Sequence, residues 1–266
     1  MPLSPAVSSY SHVLLDLDGT VWLGDAPCDG AIEAVAALRE AGMSVRFLTN
    51  DVRHAPEDFV RKLWRLGFQA AVAEIISVGA AVEHLLAARG GGSAFVIGAQ
   101  ALVDHVAAAG LRIVNRTQFA TRADVVVIGG HDALVYEELR VATQAVLRGA
   151  ELVGAGRDPT FPMPDGPWPG TGAILAAVEV AAGRNADVVV GKPEPPMYDA
   201  ARATLGPGAV LAVGDRLESD VEGARRAGMD TALVLTGGTT SERAAAADPA
   251  PTHIAASLAV LVLGGD

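Results

Sequence analysis

Short apolar runs alternate along this chain with Ala-rich stretches in which hydrophobic residues recur at helical spacing. Within residues 30–41, for example, Ile32, Val35 and Leu38 fall on one face of a helix. Such alternation predicts an α/β fold, in which helices cover a parallel sheet. The predicted strands are residues 12–17, 44–49, 94–98, 124–129, 151–154, 187–190, 209–213 and 231–235, and the predicted helices are residues 30–41, 56–66, 136–147, 172–182 and 217–227.

Two Gly- and Pro-rich segments interrupt this alternation in the middle third of the chain. They are ARGGGSA at residues 88–94 and PMPDGPWPGTG at residues 162–172. Glycine and proline clusters are typical of loops, so we predict a loop at each. Their position suggests a separate module inserted into the middle of the chain.

Composition and charge narrow the class of protein. Half of the 266 residues are hydrophobic, and 31 acidic against 20 basic side chains give a formal charge of -11, which would repel nucleic acid. No apolar stretch approaches the ~20 residues needed to cross a bilayer, and the first residues, MPLSPAVSSYSH, show no secretory signal. With Cys28 as its single cysteine, the chain has no internal disulfide, so we expect a cytoplasmic protein. The charge and the lack of a long apolar stretch lead us to expect neither nucleic-acid nor membrane partners.

The first predicted strand ends in two acids, in the segment HVLLDLDGTVW at residues 12–22. Asp16 and Asp18 face the same side because residues two apart in a strand do so, and Gly19 allows a sharp turn after them. Open α/β sheets bind their ligands at the carboxyl ends of parallel strands. The pair is therefore either part of a ligand site or an ordinary Asp-Gly turn.

Three more predicted strands end in residues suited to phosphate or metal. Thr49 and Asn50 close VRFLTN with a hydroxyl and an amide that can hydrogen-bond phosphate oxygens. Lys192 ends DVVVGKP with an ammonium that can neutralise phosphate charge, and Asp215 and Asp220 lie in VLAVGDRLESD. Each alone could be a capping or solvated residue, but together they favour a phosphate site.

The segment DLDGT at residues 16–20 matches the first motif of the haloacid dehalogenase (HAD) superfamily of phosphotransferases, and the other strand ends follow in that superfamily's order. The resemblance implies a Rossmann-like parallel-sheet core that binds Mg²⁺. It places the ion on the side chains of Asp16 and Asp215 and on the backbone carbonyl of Asp18. Asp220 is expected to support this site.

The resemblance also implies a chemical role for each residue. Asp16 is expected to attack phosphorus and form an aspartyl phosphate that water later hydrolyses. Asp18 is expected to protonate the leaving oxygen and then to deprotonate the water. Thr49, Asn50 and Lys192 are expected to bind the phosphate of the substrate.

The second and third motifs lie much further apart than the first and second, which indicates a cap domain between them. We expect an α/β cap in residues 79–184, with the HAD core in residues 1–78 and 185–266. The cap, with VVVIGGHDALVYEEL and PWPGTGAILAAVE, is similar to that of the subfamily of nitrophenyl phosphatases, nucleotide monophosphatases, phosphoglycolate phosphatases and pyridoxal phosphate phosphatases. This resemblance implies an Mg²⁺-dependent phosphatase of small phosphorylated metabolites, with a homodimer formed through the cap as a further expectation.

Some residues depart from the family pattern. Asp51 stands where a second Asn is common, and an acid there either disfavours strongly anionic substrates or points away. Arg157 and Asp158 stand where an Asn-x-Asp pattern is common, and both are candidate specificity residues. Arg157 either binds a second anionic group of the substrate or pairs with Asp158. Trp168 either stacks on a substrate ring or packs its own loop.

Two other functions remain open at this point. A phosphotransferase or mutase would pass the aspartyl phosphate to a sugar hydroxyl, and the position of the cap argues against it. A catalytically idle binding protein could also use this fold. The presence of Asp16, Asp18, Thr49, Lys192 and Asp215 argues against that second alternative.

Overall fold

A computed structural model describes residues 3–163 and 165–265 of the chain. The strands in this part are β1 (His12–Asp16), β2 (Trp22–Leu23), β3 (Ala26–Pro27), β4 (Ser44–Thr49), β5 (Ile75–Ser77), β6 (Ser93–Ile97), β7 (Arg112–Ile113), β8 (Val125–Ile128), β9 (Glu151–Gly154), β10 (Thr160–Met163), β11 (Gly166–Pro169), β12 (Val188–Val189), β13 (Val210–Gly214), β14 (Asp230–Val234) and β15 (His253–Ala255). The α-helices are α1 (Ala31–Glu40), α2 (Pro56–Arg65), α3 (Val78–Ala87), α4 (Gln100–Ala108), α5 (Tyr136–Leu147), α6 (Thr171–Ala182), α7 (Pro195–Ala203), α8 (Glu222–Arg226), α9 (Ser241–Ala245) and α10 (Leu258–Leu263). Short 3-10 helices cover Val72–Glu74 and Ala120–Arg122, and a π-helix at Leu217–Val221 leads into α8.

The predicted α/β fold with parallel sheets is confirmed. Three of the elements, β4, β9 and α5, begin and end at the predicted residues. None of the helices in the described part of the chain combines the length and the hydropathy that crossing a bilayer requires.

The prediction of a loop at residues 162–172 is wrong for most of that segment, of which Pro164 lies outside the described residues. β10 and β11 pair there as an antiparallel hairpin, with Phe161 opposite Trp168. Proline is tolerated in such a ribbon because both of its strands are edge strands, where a missing N–H needs no partner. The Pro and Gly content therefore marked an isolated hairpin and not a loop.

The described residues form two compact units. The first contains residues 3–49, 56–76 and 192–265, and its sheet has the strand order β15-β14-β13-β1-β4-β5. The second contains residues 50–55 and 77–191. The chain thus leaves the first unit after Thr49, returns to it for residues 56–76, and returns again at Lys192.

The register of β1 decides which residues meet at one edge of the first unit's sheet. β1 pairs in parallel with β13 on one side and with β4 on the other, with Leu15 opposite Val213 and Asp16 opposite Leu48. Parallel strands end on the same side of a sheet. Asp16, Thr49 and the segment that follows β13 consequently lie at the same edge.

The core of the first unit holds β1 in place. Val13 and Leu15 are fully buried, as expected for a parallel strand covered on both faces. They belong to an apolar cluster that includes Leu38 of α1 and Leu261 of α10, and these two helices pack against each other. Burial of the strand leaves only its polar end for chemistry.

The second unit has its own sheet and core. Its strand order is β12-β9-β8-β6-β7, with parallel pairing throughout. Phe95, Ile128 and Leu152 from the sheet pack with Leu175 of α6 in one buried cluster. This unit is therefore an α/β module with an independent hydrophobic core.

Candidate active site

Three acids meet at the carboxyl edge of the first unit's sheet. Carboxylate oxygens of Asp16, Asp215 and Asp220 lie within 4.8 Å of one another. Asp16 is the last residue of β1, Asp215 directly follows β13, and Asp220 lies in the π-helix after it. The structure thus brings together acids that are almost 200 positions apart in the sequence, as the strand-end pattern predicted.

Lys192 places one positive charge among these acids. Its ammonium donates hydrogen bonds to Asp16 and to Asp220 Oδ1, the latter at 2.6 Å. The side chains of Lys192, Asp16 and Asp220 are only 6%, 12% and 7% exposed. Burial alone would lower the pKa of Lys192, but the two carboxylates outweigh it and raise that pKa, so the ammonium stays charged.

Burial makes two of the acids hold their protons tightly. It raises the pKa of Asp16 to about 8, against the opposing charge of Lys192. It also raises the pKa of Asp215, against a hydrogen bond from the backbone N–H of Gly238. The charged form of each carboxylate is therefore disfavoured unless a cation lies beside it.

The donor set fits Mg²⁺, which prefers carboxylate and other oxygen ligands. Asp215 Oδ2 accepts the Gly238 N–H at 2.5 Å, whereas Asp215 Oδ1 is buried and has no hydrogen-bond partner among the described residues. Buried polar atoms rarely lack a partner, and a cation would provide one. Asp16 and Asp215, the side chains expected to bind metal, are therefore suitably arranged; the backbone carbonyl of Asp18 as a ligand stays a prediction.

Asp220 is held on several sides. Its Oδ1 accepts from Lys192, and its Oδ2 accepts the backbone N–H of Arg216 at 3.1 Å. The Tyr198 hydroxyl lies 3.1 Å from each of the backbone carbonyls of Ser219 and Asp220, to which it donates. With both oxygens engaged by protein donors, Asp220 orients Lys192 and suits the supporting role expected of it.

Asp18 and Thr49 lie outside the acid cluster. Asp18 is exposed, and its Oδ1 accepts a hydrogen bond of 2.7 Å from the indole Nε1–H of Trp22. Thr49 is the last residue of β4 and is buried. The sequence predicted the place of both residues but gave no sign of the bond from Trp22.

The predicted residues Asn50, Arg157 and Asp158 belong to the second unit. Asn50 Nδ2 donates to Asp158 Oδ2 at 3.2 Å. The guanidinium of Arg157 donates two hydrogen bonds to Glu179 of α6, at 2.8 and 3.1 Å. Glu179 is thus a partner of Arg157 that the sequence did not suggest.

Asp51 is neutralised within its own segment. Its Oδ1 accepts the backbone N–H of Arg53 at 2.7 Å, and its Oδ2 lies 2.8 Å from His54 Nδ1. Burial would raise the pKa of Asp51, but these bonds outweigh it and lower that pKa. The acid that departs from the family pattern therefore has Arg53 and His54 as partners two and three residues away.

Trp168 packs within its hairpin. Its indole N–H donates to Asp165 Oδ1 at 2.9 Å, and its ring lies 6.4 Å from that of Phe161 on the facing strand. These contacts favour the packing role over stacking on a substrate.

Sequence reasoning missed a glycine pair that shapes the metal site. Gly237 and Gly238 follow β14 and pass directly over Asp215. A Cβ on Gly237 would lie 2.8 Å from Gly19 Cα and closer still to the Asp215 carboxylate. The pair is visible in the sequence as LTGG, but its proximity to Asp215 depends on the fold.

We predict that Mg²⁺ stabilises the folded protein more at about pH 8 than at about pH 5.5. An acid whose pKa is raised by folding binds more protons in the native state than in the unfolded chain. Its contribution to stability is therefore lost as the pH rises from about 4 towards the raised value. Folding raises the pKa of both Asp16 and Asp215, so their ionisation at higher pH lowers the stability of the metal-free protein. A bound cation stabilises the ionised carboxylates and offsets this loss of stability. Thermal unfolding with and without Mg²⁺ at both pH values measures the effect.

Asp215→Asn provides the control for this pH dependence. It removes one of the two buried charges while its amide oxygen can still accept the Gly238 N–H. The metal-free variant should lose less stability between the two pH values than the wild type does. Equal stabilisation of the wild type by Mg²⁺ at both pH values would contradict the assignment of Mg²⁺ to Asp16 and Asp215.

We also predict that Gly237→Ala lowers the affinity for Mg²⁺ about tenfold or more, because the added methyl displaces Asp215. Gly206→Ala is the matched control, since a Cβ at that exposed position meets no atom within 4 Å. Titration calorimetry on both variants measures the affinity directly. An unchanged affinity in Gly237→Ala would show that Asp215 does not need this close approach.

Comparison with known proteins identifies the family. A family model described as haloacid dehalogenase-like hydrolase matches residues 13–112, and one described as HAD-hydrolase-like matches residues 189–261. The chain is 37% identical over 249 residues to D-glycerol 3-phosphate phosphatase of Mycobacterium tuberculosis, covering 92% of this chain and 69% of that protein. It is 38% identical over 257 residues to chronophin of Homo sapiens, covering 91% of this chain and 86% of that protein.

A solved structure agrees with this assignment. The glycerol phosphate phosphatase of Mycobacterium tuberculosis in complex with magnesium superposes with a TM-score of 0.88 at 35% identity, over 98% of this chain and 78% of that chain. Sequence and fold therefore agree over nearly the whole length. The chain belongs to the haloacid dehalogenase-like hydrolases, as its DLDGT motif and strand-end residues predicted.

Proposed function

We propose that this protein is an Mg²⁺-dependent phosphatase that hydrolyses small phosphorylated metabolites through a phosphorylated Asp16. The observation that carries the proposal is the group of three carboxylates, those of Asp16, Asp215 and Asp220, at the carboxyl edge of the sheet, two of which pair with the ammonium of Lys192. A phosphate monoester is a dianion and repels an anionic nucleophile. A site that delivers a carboxylate to phosphorus must therefore also supply positive charge.

Asp16 and Asp215 would hold the metal, with the backbone carbonyl of Asp18, and Mg²⁺ when bound would screen the charge of the phosphate. Lys192 supplies the protein's own positive charge beside Asp16. We assign Thr49 and Asn50 to the substrate phosphate because they follow the neighbouring strand. Asp220 keeps Lys192 in place through the 2.6 Å bond.

The first chemical step transfers the phosphoryl group to Asp16. A carboxylate oxygen of Asp16 forms a bond to phosphorus while the bond from phosphorus to the ester oxygen breaks. The ester oxygen takes a proton from Asp18 and leaves as an alcohol. Asp18 is exposed, so substrate can reach it.

The second step restores the enzyme. Asp18, now a carboxylate, removes a proton from a water molecule whose oxygen attacks the phosphorus of the aspartyl phosphate. The bond between phosphorus and Asp16 breaks, which releases inorganic phosphate and the Asp16 carboxylate. One acid therefore serves as general acid and then as general base.

We further propose that the second unit is the cap domain and that it governs the choice of substrate. Its separate sheet and core support this, because residues of such a module can vary with the substrate without disturbing the sheet that carries Asp16. A homodimer through this unit and a cytoplasmic location also stay predictions.

We predict that Asp16→Asn lowers phosphatase turnover by at least about a thousandfold while leaving the fold intact. Breaking a buried ion pair costs about 3–5 kcal/mol when it strands a charge, but Lys192 keeps Asp220 as its partner. Phosphate release from nucleotides, phosphoglycolate, glycerol phosphate, sugar phosphates and pyridoxal phosphate, with and without Mg²⁺, measures the activity. Circular dichroism and thermal unfolding report on the fold.

Asp25→Asn is the matched control, since Asp25 is exposed in the turn between β2 and β3 of the same unit. It should hydrolyse the panel at the wild-type rate. Near-normal turnover by Asp16→Asn would rule out Asp16 as the nucleophile. Silence of folded wild-type protein across the panel with Mg²⁺ would argue against the phosphatase itself.

We also predict opposite effects on substrate choice from the two members of the Arg157–Glu179 pair. Arg157→Gln removes a positive charge and should lower kcat/KM about threefold or more for substrates with a second anionic group, relative to a small aryl phosphate. Glu179→Gln releases the guanidinium and should raise this ratio. The guanidinium side chain is 48% exposed, so loss of the pair should cost little stability.

The kcat/KM values for phosphoglycolate and p-nitrophenyl phosphate give this ratio. Its failure to move in either variant would show that the pair only stabilises the loop of the second unit.

A further inference from the structure

Trp22, itself buried, donates a hydrogen bond to the acid assigned to proton transfer. Its side chain is 1% exposed, and its indole Nε1–H donates to Asp18 Oδ1 at 2.7 Å. A buried indole N–H needs an acceptor, and most acceptors of this kind are backbone carbonyls or side chains of no chemical consequence. Here the acceptor is a carboxyl oxygen of Asp18, the residue assigned to proton transfer.

Backbone hydrogen bonds fix Trp22 relative to Asp18. The N–H groups of Val21 and Trp22 donate to the carbonyl of Leu17 at 2.9 and 3.1 Å, and the N–H of Gly19 donates to the carbonyl of Trp22 at 2.7 Å. Gly19 has a φ of +85°, which permits this turn. The indole donor is therefore placed before any substrate binds.

A second element holds the indole ring from its face. Lys62 of α2 places its Nζ 4.2 Å from the centroid of the Trp22 ring. A cation over an indole face is attracted by the ring, which restricts its rotation. The direction of the N–H is thus set both by the turn after β1 and by a helix that follows β4.

We propose that Trp22 is a positioning residue that orients Asp18 for proton transfer, an inference that rests on the proposed function. Because the indole binds Oδ1, the proton is carried on Oδ2. In the first step the proton leaves Oδ2 for the ester oxygen as the bond from that oxygen to phosphorus breaks. In the second step a water proton returns to Oδ2 while the water oxygen attacks phosphorus and Asp16 leaves.

The same indole bond serves both protonation states of Asp18. In the acid, Oδ1 is a carbonyl oxygen that accepts the N–H, and in the carboxylate it is a charged oxygen that also accepts it. The side chain therefore need not rotate between the two half-reactions. Without the N–H, the proton on Asp18 could reside on either oxygen and point away from the ester.

The leaving group provides a test that separates positioning from packing. An alkoxide is a poor leaving group and needs the proton, whereas p-nitrophenolate leaves with little help. Trp22→Phe keeps an aromatic ring but removes the N–H. We expect its kcat/KM to fall about tenfold or more for the alkyl phosphate that the wild type hydrolyses fastest, and less than about twofold for p-nitrophenyl phosphate.

Two further variants complete this experiment, all with the full chain and Mg²⁺. Asp18→Asn should likewise lose more kcat/KM on the alkyl phosphate than on p-nitrophenyl phosphate. Trp64→Phe removes an indole N–H that donates to the carbonyl of Ala70 in the same unit, and it should leave both substrates unaffected. Equal losses for the two substrates in Trp22→Phe, or no loss, would overturn the proposal while the proposed function stands. Absence of wild-type hydrolysis of both substrates would instead refute the function.

Nuclear magnetic resonance gives a second readout that does not depend on activity. The indole N–H signal of Trp22 is identified by its loss in Trp22→Phe. In Asp18→Asn it should move upfield, because a neutral acceptor binds the proton more weakly, whereas the signals of Trp64 and Trp168 should stay in place. A Trp22 signal that does not respond to Asp18→Asn would overturn the proposal.

Discussion

The buried ion pairs of Lys192 with Asp16 and Asp220 are the interaction on which the site depends. Three carboxylates lie together there beside the ammonium of Lys192, which pairs with Asp16 and Asp220. Buried charge is costly unless it is compensated, which is why the pKa of Asp16 is raised to about 8. A divalent cation beside Asp16 and Asp215 would stabilise their ionised forms, which fits the Mg²⁺ expected at this site.

The parallel sheet makes this concentration of charge possible. β1, β4 and β13 bury apolar side chains along their length, and Asp16, Thr49 and Asp215 stand at or directly after their carboxyl ends. The strands bring Asp16 and Asp215 together through main-chain pairing, and the cost of gathering like charges is offset by the apolar core beneath them. Asp16 and Asp215 are thus held by paired strands of the first unit, while the turn after β1 adds Asp18 and Trp22.

Much of this could be predicted from the sequence, because the relevant signals are local. Apolar runs predicted the strands, and a polar residue at the end of such a run predicted where Asp16, Thr49 and Asp215 would lie. The bond from Trp22 to Asp18, the contact of Gly237 with Asp215 and the pairing of Arg157 with Glu179 could not be predicted in this way. Each depends on side-chain direction or on contacts between distant segments, and neither has a periodic signature. The sequence does not predict the hairpin of β10 and β11, because clusters of proline and glycine are typical of loops.

The central claim is that Asp16 carries the phosphoryl group during turnover. Rapid acid quenching of the wild-type enzyme during turnover with Mg²⁺, followed by mass spectrometry of its peptides, tests this directly. The account predicts that the peptide containing Asp16 gains the mass of one phosphoryl group and loses it again when the substrate is exhausted. Turnover with no phosphorylated peptide, or with the phosphoryl group on another residue, would contradict it.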